Sequence, residues 1–168
     1  VVLEDGRLDP ASHRGFPTPW AAFTYFIGLE KLFPTAKLFS QYHQSWKNLG
    51  SAHEIDSPSG AFYLVRRQAL DQVGLLDEHF FMYAEDLDWS IRFKRAGWKI
   101  MYVPSTKIIH FKKRSGRGSS NRQLQQQTSG HFFSTMKLFY DKHYHDKYPF
   151  LVRWLVLTGI RLIRSIRN

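Results

Sequence analysis

Hydrophobic and polar positions follow two rhythms along this chain, a period near two and a period near 3.6, and the changes between them mark its elements. Residues 1–3, the turn dipeptide Asp5-Gly6 and Arg7-Leu8 read as a short hairpin or strand end. An aromatic-rich stretch from Phe16 to Trp46 follows, punctuated by Pro17, Pro19 and Pro34. Within it residues 20–32 are expected to be helical, with Pro19 near the helix start, and the rest irregular. Residues 60–65 form an apolar run of buried-strand type, and residues 67–73 a short helix closed by Gly74. Residues 84–96 form a clearer helix, ended by Gly97 where a left-handed cap is wanted. Residues 99–103, stopped by Pro104, and residues 107–111 read as two further strands. Residues 112–121 are a Gly/Ser/Lys/Arg loop with no means of burying itself. A helix is then expected from about Gln123 to His145, and a last one after Pro149. Strands and helices alternate in the middle, which argues an α/β fold.

Composition supports a packed body, because 43% hydrophobic and 16% aromatic residues are too many for a disordered chain. There is no cysteine, which excludes a disulfide scaffold and fits a cytosolic setting weakly. The 168 residues begin with Val1, and methionine occurs only at 82, 101 and 136, so the chain is expected to be a piece of a longer protein. Its net charge of +10 is local. Residues 107–122 and 151–168 hold ten cations and no acid, while the remainder balances fourteen cations against fourteen acids. Two anion-facing surfaces follow, rather than a generally basic body.

Glu85, Asp86 and Asp88 put three acids in the first turn of a helix. Acids there favour the helix dipole by about 0.3–1 kcal/mol each, which is a sufficient structural reason for one or two. Three within four residues repel one another unless a cation, a metal or a substrate hydroxyl meets them. Residue types alone leave both readings open.

The order of motifs is more specific. Ser59-Gly60-Ala61-Phe62, Leu64-Val65-Arg66-Arg67, Val73-Gly74-Leu75-Leu76-Asp77-Glu78, Phe80-Phe81-Met82-Tyr83-Ala84-Glu85-Asp86-Leu87-Asp88, Arg95-Ala96-Gly97-Trp98-Lys99, Tyr102-Val103-Pro104 and Ile109-His110 run in sequence. Together they resemble the C-terminal half of family 2 glycosyltransferases, nearest the rhamnosyltransferase-like branch that builds bacterial cell-surface polysaccharide. The resemblance implies an α/β fold, the C-terminal, acceptor-side part of a GT-A fold with a mixed, mostly parallel sheet and flanking helices. Residues 1–145 would form that part, and residues 146–168 a basic amphipathic helix.

The same resemblance implies an inverting transfer of a sugar, rhamnose being the one suggested, from a nucleotide-sugar donor to a lipid-linked glycan or polysaccharide acceptor. Asp86 would be the general base, since an oriented carboxylate takes the proton of a weakly nucleophilic sugar hydroxyl as the new bond forms. Glu85 would orient the acceptor, and Asp56, Gly60, Asp88 and Trp89 are candidate acceptor contacts. Loop capping is an equal alternative for Asp56, and a plain helix-turn acid for Asp88. His110 matches the place of a histidine near a divalent metal, Mg²⁺ or Mn²⁺, although a lone histidine at a strand end is usually structural. Lys112, Lys113, Arg114 and Arg117 read as a flap over the donor diphosphate. His143 and His145 are two apart, share no helix face, and are not expected to hold a metal. The family's donor-binding half, with its Asp-x-Asp metal motif, is not in these residues; Asp86-Leu87-Asp88 belongs to the acceptor side.

Residues 150–160 are too short for a spanning helix, which needs about 20 apolar residues. Arg153, Arg164, Arg167 and, marginally, Arg161 fall on one side of the wheel, with Leu151, Leu155, Leu162 and Ile166 opposite and Trp154 near the boundary. This pattern suits either a helix packed on its own domain or attachment to the anionic inner face of the cell membrane, where the protein would be cytoplasmic and peripheral. A non-catalytic module that binds membrane or a partner is the competing reading. Nucleic acid is not an expected partner.

Overall fold

A computed structural model of the chain describes residues 1–111 and 122–167. The expected diphosphate contacts Lys112, Lys113, Arg114 and Arg117 lie outside the described residues. The elements in chain order are a 3₁₀ turn (Pro10–Ser12), α1 (Pro19–Phe26), α2 (Leu29–Leu32), β1 (His53–Ile55), α3 (Arg67–Val73), α4 (Glu85–Arg95), β2 (Ile100–Tyr102), α5 (Arg122–Tyr144), a second 3₁₀ turn (His145–Lys147) and α6 (Phe150–Arg167). They fall into two compact units, one made of Val1–Asp77 with Asp86–Phe111, the other of Glu78–Glu85 with the residues after 111.

In the first unit the termini of the expected hairpin do meet. Val2 bridges Leu8 antiparallel, and it also bridges Ile109 in parallel, with Val2 N–H donating to the Ile108 carbonyl and His110 N–H to the Val2 carbonyl, both at 2.8 Å. Residues 107–111 therefore contribute one bridge and no strand. The Thr18 hydroxyl accepts from Ala21 N–H, and Pro19 opens α1 with its ring in the first turn. The expected 20–32 helix is broken at Gly28, whose φ of 83° lies in the left-handed region, so α2 is a separate turn.

The chain departs at Gly15 on an excursion that returns by Ser57. Gly15 N–H donates to the Tyr42 carbonyl at 2.7 Å, and a Cβ there would sit 2.1 Å from the Gln41 carbonyl oxygen, a separation only glycine avoids. Arg14 and Ser57 then pair as an antiparallel bridge.

The sheet itself is antiparallel and two-stranded among the described residues, with His53 opposite Tyr102, Glu54 opposite Met101 and Ile55 opposite Ile100. The mixture of helices with a small sheet agrees with an α/β reading, while the mostly parallel sheet is absent from the described residues. The run 60–65 is the main departure. Tyr63 and Val65 pack against the core of Ile55, Ala69, Phe93 and Ile100, whereas Phe62 is exposed and Leu64 is 86% exposed. It alternates as a strand does, yet has no ladder, because no neighbouring strand supplies the hydrogen bonds. α3 and α4 end as their glycines require: Gly97 N–H bonds to the Lys94 carbonyl and Trp98 N–H to that of Phe93.

His53 of β1 pairs with His13, which follows the first 3₁₀ turn. His13 Nδ1 lies 2.9 Å from the His43 carbonyl and His53 Nδ1 2.8 Å from that of Ser51, so each carries its proton there. Their Nε2 atoms meet at 2.7 Å.

The second unit is helical. Phe80 from the 78–85 segment is buried, as are Phe133, Phe139, Tyr140 and Tyr144 of α5. Phe81 packs on His131, Tyr83 meets Phe132 edge-on, and Lys142 lies over the Phe80 ring. α5 and α6 begin and end within one residue or so of expectation.

Candidate active site

α4 presents its acids in three different settings. Asp86 is 8% exposed, and its carboxylate has three donors. Arg14 Nη2 donates to Oδ2 at 2.7 Å, Gly60 N–H to Oδ2 at 3.0 Å, and Leu87 N–H to Oδ1 at 2.8 Å. An ionised carboxylate offers about four acceptor sites, so Oδ1 retains room for one more donor. The structure thus brings Asp86 and Gly60 together.

Arg14 was not foreseen. It is itself only 8% exposed, and its Nη2 also donates to the Pro58 carbonyl at 2.7 Å. The surrounding polar groups fix the geometry further: the Ser90 hydroxyl donates to the Asp86 carbonyl at 2.6 Å and lies 3.0 Å from the Ser57 hydroxyl. Tyr63 OH is 3.3 Å from Ser90 Oγ, and burial pushes its pKa up to about 12, so it stays a neutral phenol. Burial likewise pushes the Tyr42 phenol up, against the opposing pull of the neighbouring Arg14 guanidinium. One signal for Arg14 existed in the sequence: it is the sole charged residue between Pro10 and Leu29, which is an expensive place for a lone cation unless it has a buried partner.

Asp88 is fully buried and accepts from Arg92 Nε at 2.9 Å, while the other two guanidinium nitrogens hold the carbonyls of Val73 (3.1 Å) and Leu75 (2.7 Å). The acid thereby ties α4 to the end of α3. Trp89 does the same with its ring nitrogen, which donates to the Gly74 carbonyl at 2.9 Å, while the ring packs on Tyr63 and Phe93. Both side chains have structural duties that account for their places.

Glu85 opens α4 and belongs to the 78–85 segment. The two residues before it, Tyr83 and Ala84, have φ of 68° and 62°. Two consecutive left-handed non-glycine residues cost about 1–3 kcal/mol each and persist only where surrounding packing enforces them. Here the aromatic contacts of Phe80, Phe81 and Tyr83 supply that packing.

Asp56 accepts from Gln44 Nε2 and from Lys94 Nζ, each at 2.9 Å. His110 Nδ1 lies 2.8 Å from Oδ2 of Asp9, which is fully buried and also caps the first 3₁₀ turn. This bond sets the ring's Nδ1 on a carboxylate, the support that metal-ligating imidazoles commonly have. Among the described residues no three His, Asp or Glu side chains gather as a metal cluster.

The family model described as "Glycosyltransferase like family 2" matches residues 31–129. The N-acetylglucosaminyl-diphospho-decaprenol L-rhamnosyltransferase of Mycobacterium tuberculosis (strain ATCC 25618 / H37Rv) is 41% identical over 107 residues, 64% of this chain and 33% of that protein. The rhamnosyltransferase WbbL of Escherichia coli (strain K12) is 36% identical over 63 residues, 38% of this chain and 24% of that protein. The chain spans about a third or less of the length of these curated relatives. No solved structure matches it.

Proposed function

The chain belongs to glycosyltransferase family 2, and on that premise we propose that it is the acceptor-side, C-terminal part of an inverting GT-A glycosyltransferase. Residues 1–145 make up that part, and 146–168 a basic amphipathic helix. Its reaction is transfer of a sugar, rhamnose by analogy with the relatives' names, from a nucleotide-sugar donor to a lipid-linked glycan or polysaccharide, in cell-surface polysaccharide synthesis. The Asp86 geometry carries the reading. Oδ1 takes the proton of the acceptor hydroxyl as the oxygen bonds to the anomeric carbon, and the bond to the diphosphate breaks with its electron pair leaving on the nucleotide.

Arg14 and Gly60 hold the carboxylate in place during that transfer. Glu85 orients the acceptor, and Asp56, Gly60, Asp88 and Trp89 shape the same side, Asp88 and Trp89 through the helix they anchor. His110 Nε2 would occupy one position of a divalent metal, Mg²⁺ or Mn²⁺, whose chemistry is to neutralise the departing diphosphate; Lys112, Lys113, Arg114 and Arg117 would add to that charge. A lipid-linked acceptor sets the protein at the cytoplasmic membrane face. No helix among the described residues is long and apolar enough to cross a membrane.

The test is Asp86→Asn in the longer enzyme. Transfer should fall by about 10²–10⁴-fold while nucleotide-sugar binding is unchanged. Turnover near that of the unaltered enzyme would remove Asp86 from the mechanism.

A further inference from the structure

The outer face of α6 is apolar. Phe150 is 81% exposed, Leu151 64%, Trp154 53%, Leu155 54% and Leu162 59%. These positions recur at helical spacing, so they form one continuous strip. The opposite face, with Val152, Val156, Ile160 and Ile163, is the half-buried one within its unit. A helix that used its leucines to pack on its own domain would show the reverse. Arg161 and Arg164 are exposed along one edge of the strip, and no acid occurs between residues 147 and 168.

We infer that this strip is a docking surface for an anionic bilayer. Leu151, Leu155 and Leu162 enter the acyl boundary, Trp154 sits at the level of the headgroups, and Arg161 and Arg164 meet lipid phosphates. Charge complementarity selects lipid as the occupant, because a strip meant for a second copy of this helix would bring like-charged arginines together. An interfacial helix needs this combination of a wide apolar face and flanking cations, and needs no spanning length. The inference deepens the proposed function by naming what holds the enzyme beside a lipid-linked acceptor.

Co-sedimentation with vesicles tests it, using the whole chain with phosphatidylcholine alone or mixed with phosphatidylglycerol. The vesicles contain no glycolipid and no nucleotide sugar, so failure here and failure of the transferase reading are separable. Binding should require the anionic lipid. Arg161→Gln with Arg164→Gln should weaken it by about 25-fold, from the usual fivefold or so per near-surface cation. Leu151→Ser with Leu155→Ser should abolish it with the far-ultraviolet circular dichroism unchanged, since both side chains are already outside. Equal binding to neutral vesicles, or leucine variants that bind as the unaltered chain does, would overturn the inference. So would a dimer by light scattering that the leucine variants convert to monomer, because a second copy would then cover the strip.

Discussion

The two units bury different kinds of side chain. In the unit of Val1–Asp77 and Asp86–Phe111, the buried residues include Asp9, His13, Arg14, Thr24, Ser57, Asp86, Asp88 and Ser90, around a small apolar cluster of Ile55, Ala69, Phe93 and Ile100. In the helical unit they are chiefly Phe80, Phe133, Phe139, Tyr140 and Tyr144. Apolar packing tolerates sliding and repacking, whereas a hydrogen-bonded interior has few arrangements that satisfy every donor. The first unit is thus the one suited to hold a carboxylate at a fixed angle, and the second is suited to carry a greasy outer face.

The largest expected effects set the units side by side. Arg14→Met leaves Asp86 buried beside no cation and should cost about 3–5 kcal/mol in urea unfolding. A double variant, Arg14→Met with Asp86→Leu, should recover most of that loss. Phe139→Ala should cost a similar 3–5 kcal/mol through the cavity it leaves, and no change of a polar neighbour should restore it. A loss below about 1 kcal/mol for Arg14→Met would mean that water already compensates Asp86, and the contrast would fail.

Asp88→Asn is a finer division within α4. Removing the charge that Arg92 faces should cost about 2 kcal/mol of stability. In the longer enzyme its turnover at low temperature should stay near that of the unaltered protein, unlike Asp86→Asn. Comparable losses of turnover in both variants would erase the distinction between the two acids.

The smallest effect is one of pH. Burial, followed by the charges of His53 and Lys47, sets His13 below its ordinary value of 6.5, although its bond to the His43 carbonyl opposes the shift. The unfolded chain therefore binds that proton more readily than the folded one. This contribution to stability is complete above pH 6.5 and is lost as pH falls towards the folded value. Thermal melts between pH 8 and 5 should show the decline, and His13→Gln should flatten it. An unchanged slope in that variant would assign the decline to other groups.

Local signals announced the elements whose ends are chemically marked. Gly74 and Gly97 close α3 and α4, Pro104 stops β2, and Pro149 precedes α6. Residues 60–65 alternate without pairing, because apolar alternation describes a face and says nothing of a hydrogen-bonding neighbour. β1 leaves no signal in the chain, since His53-Glu54-Ile55 is too short to show a period. At the site, the acids of α4 stood out as a cluster, but the differences among them did not. Asp86 pairs with a residue 72 positions earlier and Asp88 with one four later. Only the latter spacing is visible as a pattern in the chain.

The excursion that leaves at Gly15 and returns by Ser57 is pinned where it departs, by the Gly15–Tyr42 bond and the Arg14–Ser57 bridge. At its exposed tip, around Leu32, Phe33 and Leu38, a change of length costs little closure entropy, since closure depends only weakly on the length enclosed. The segment from Gly15 to Tyr42 is thus closed at its base, with β1 and the core residue Ile55 outside it, so changes at its tip need not loosen the hold of Arg14 on Asp86.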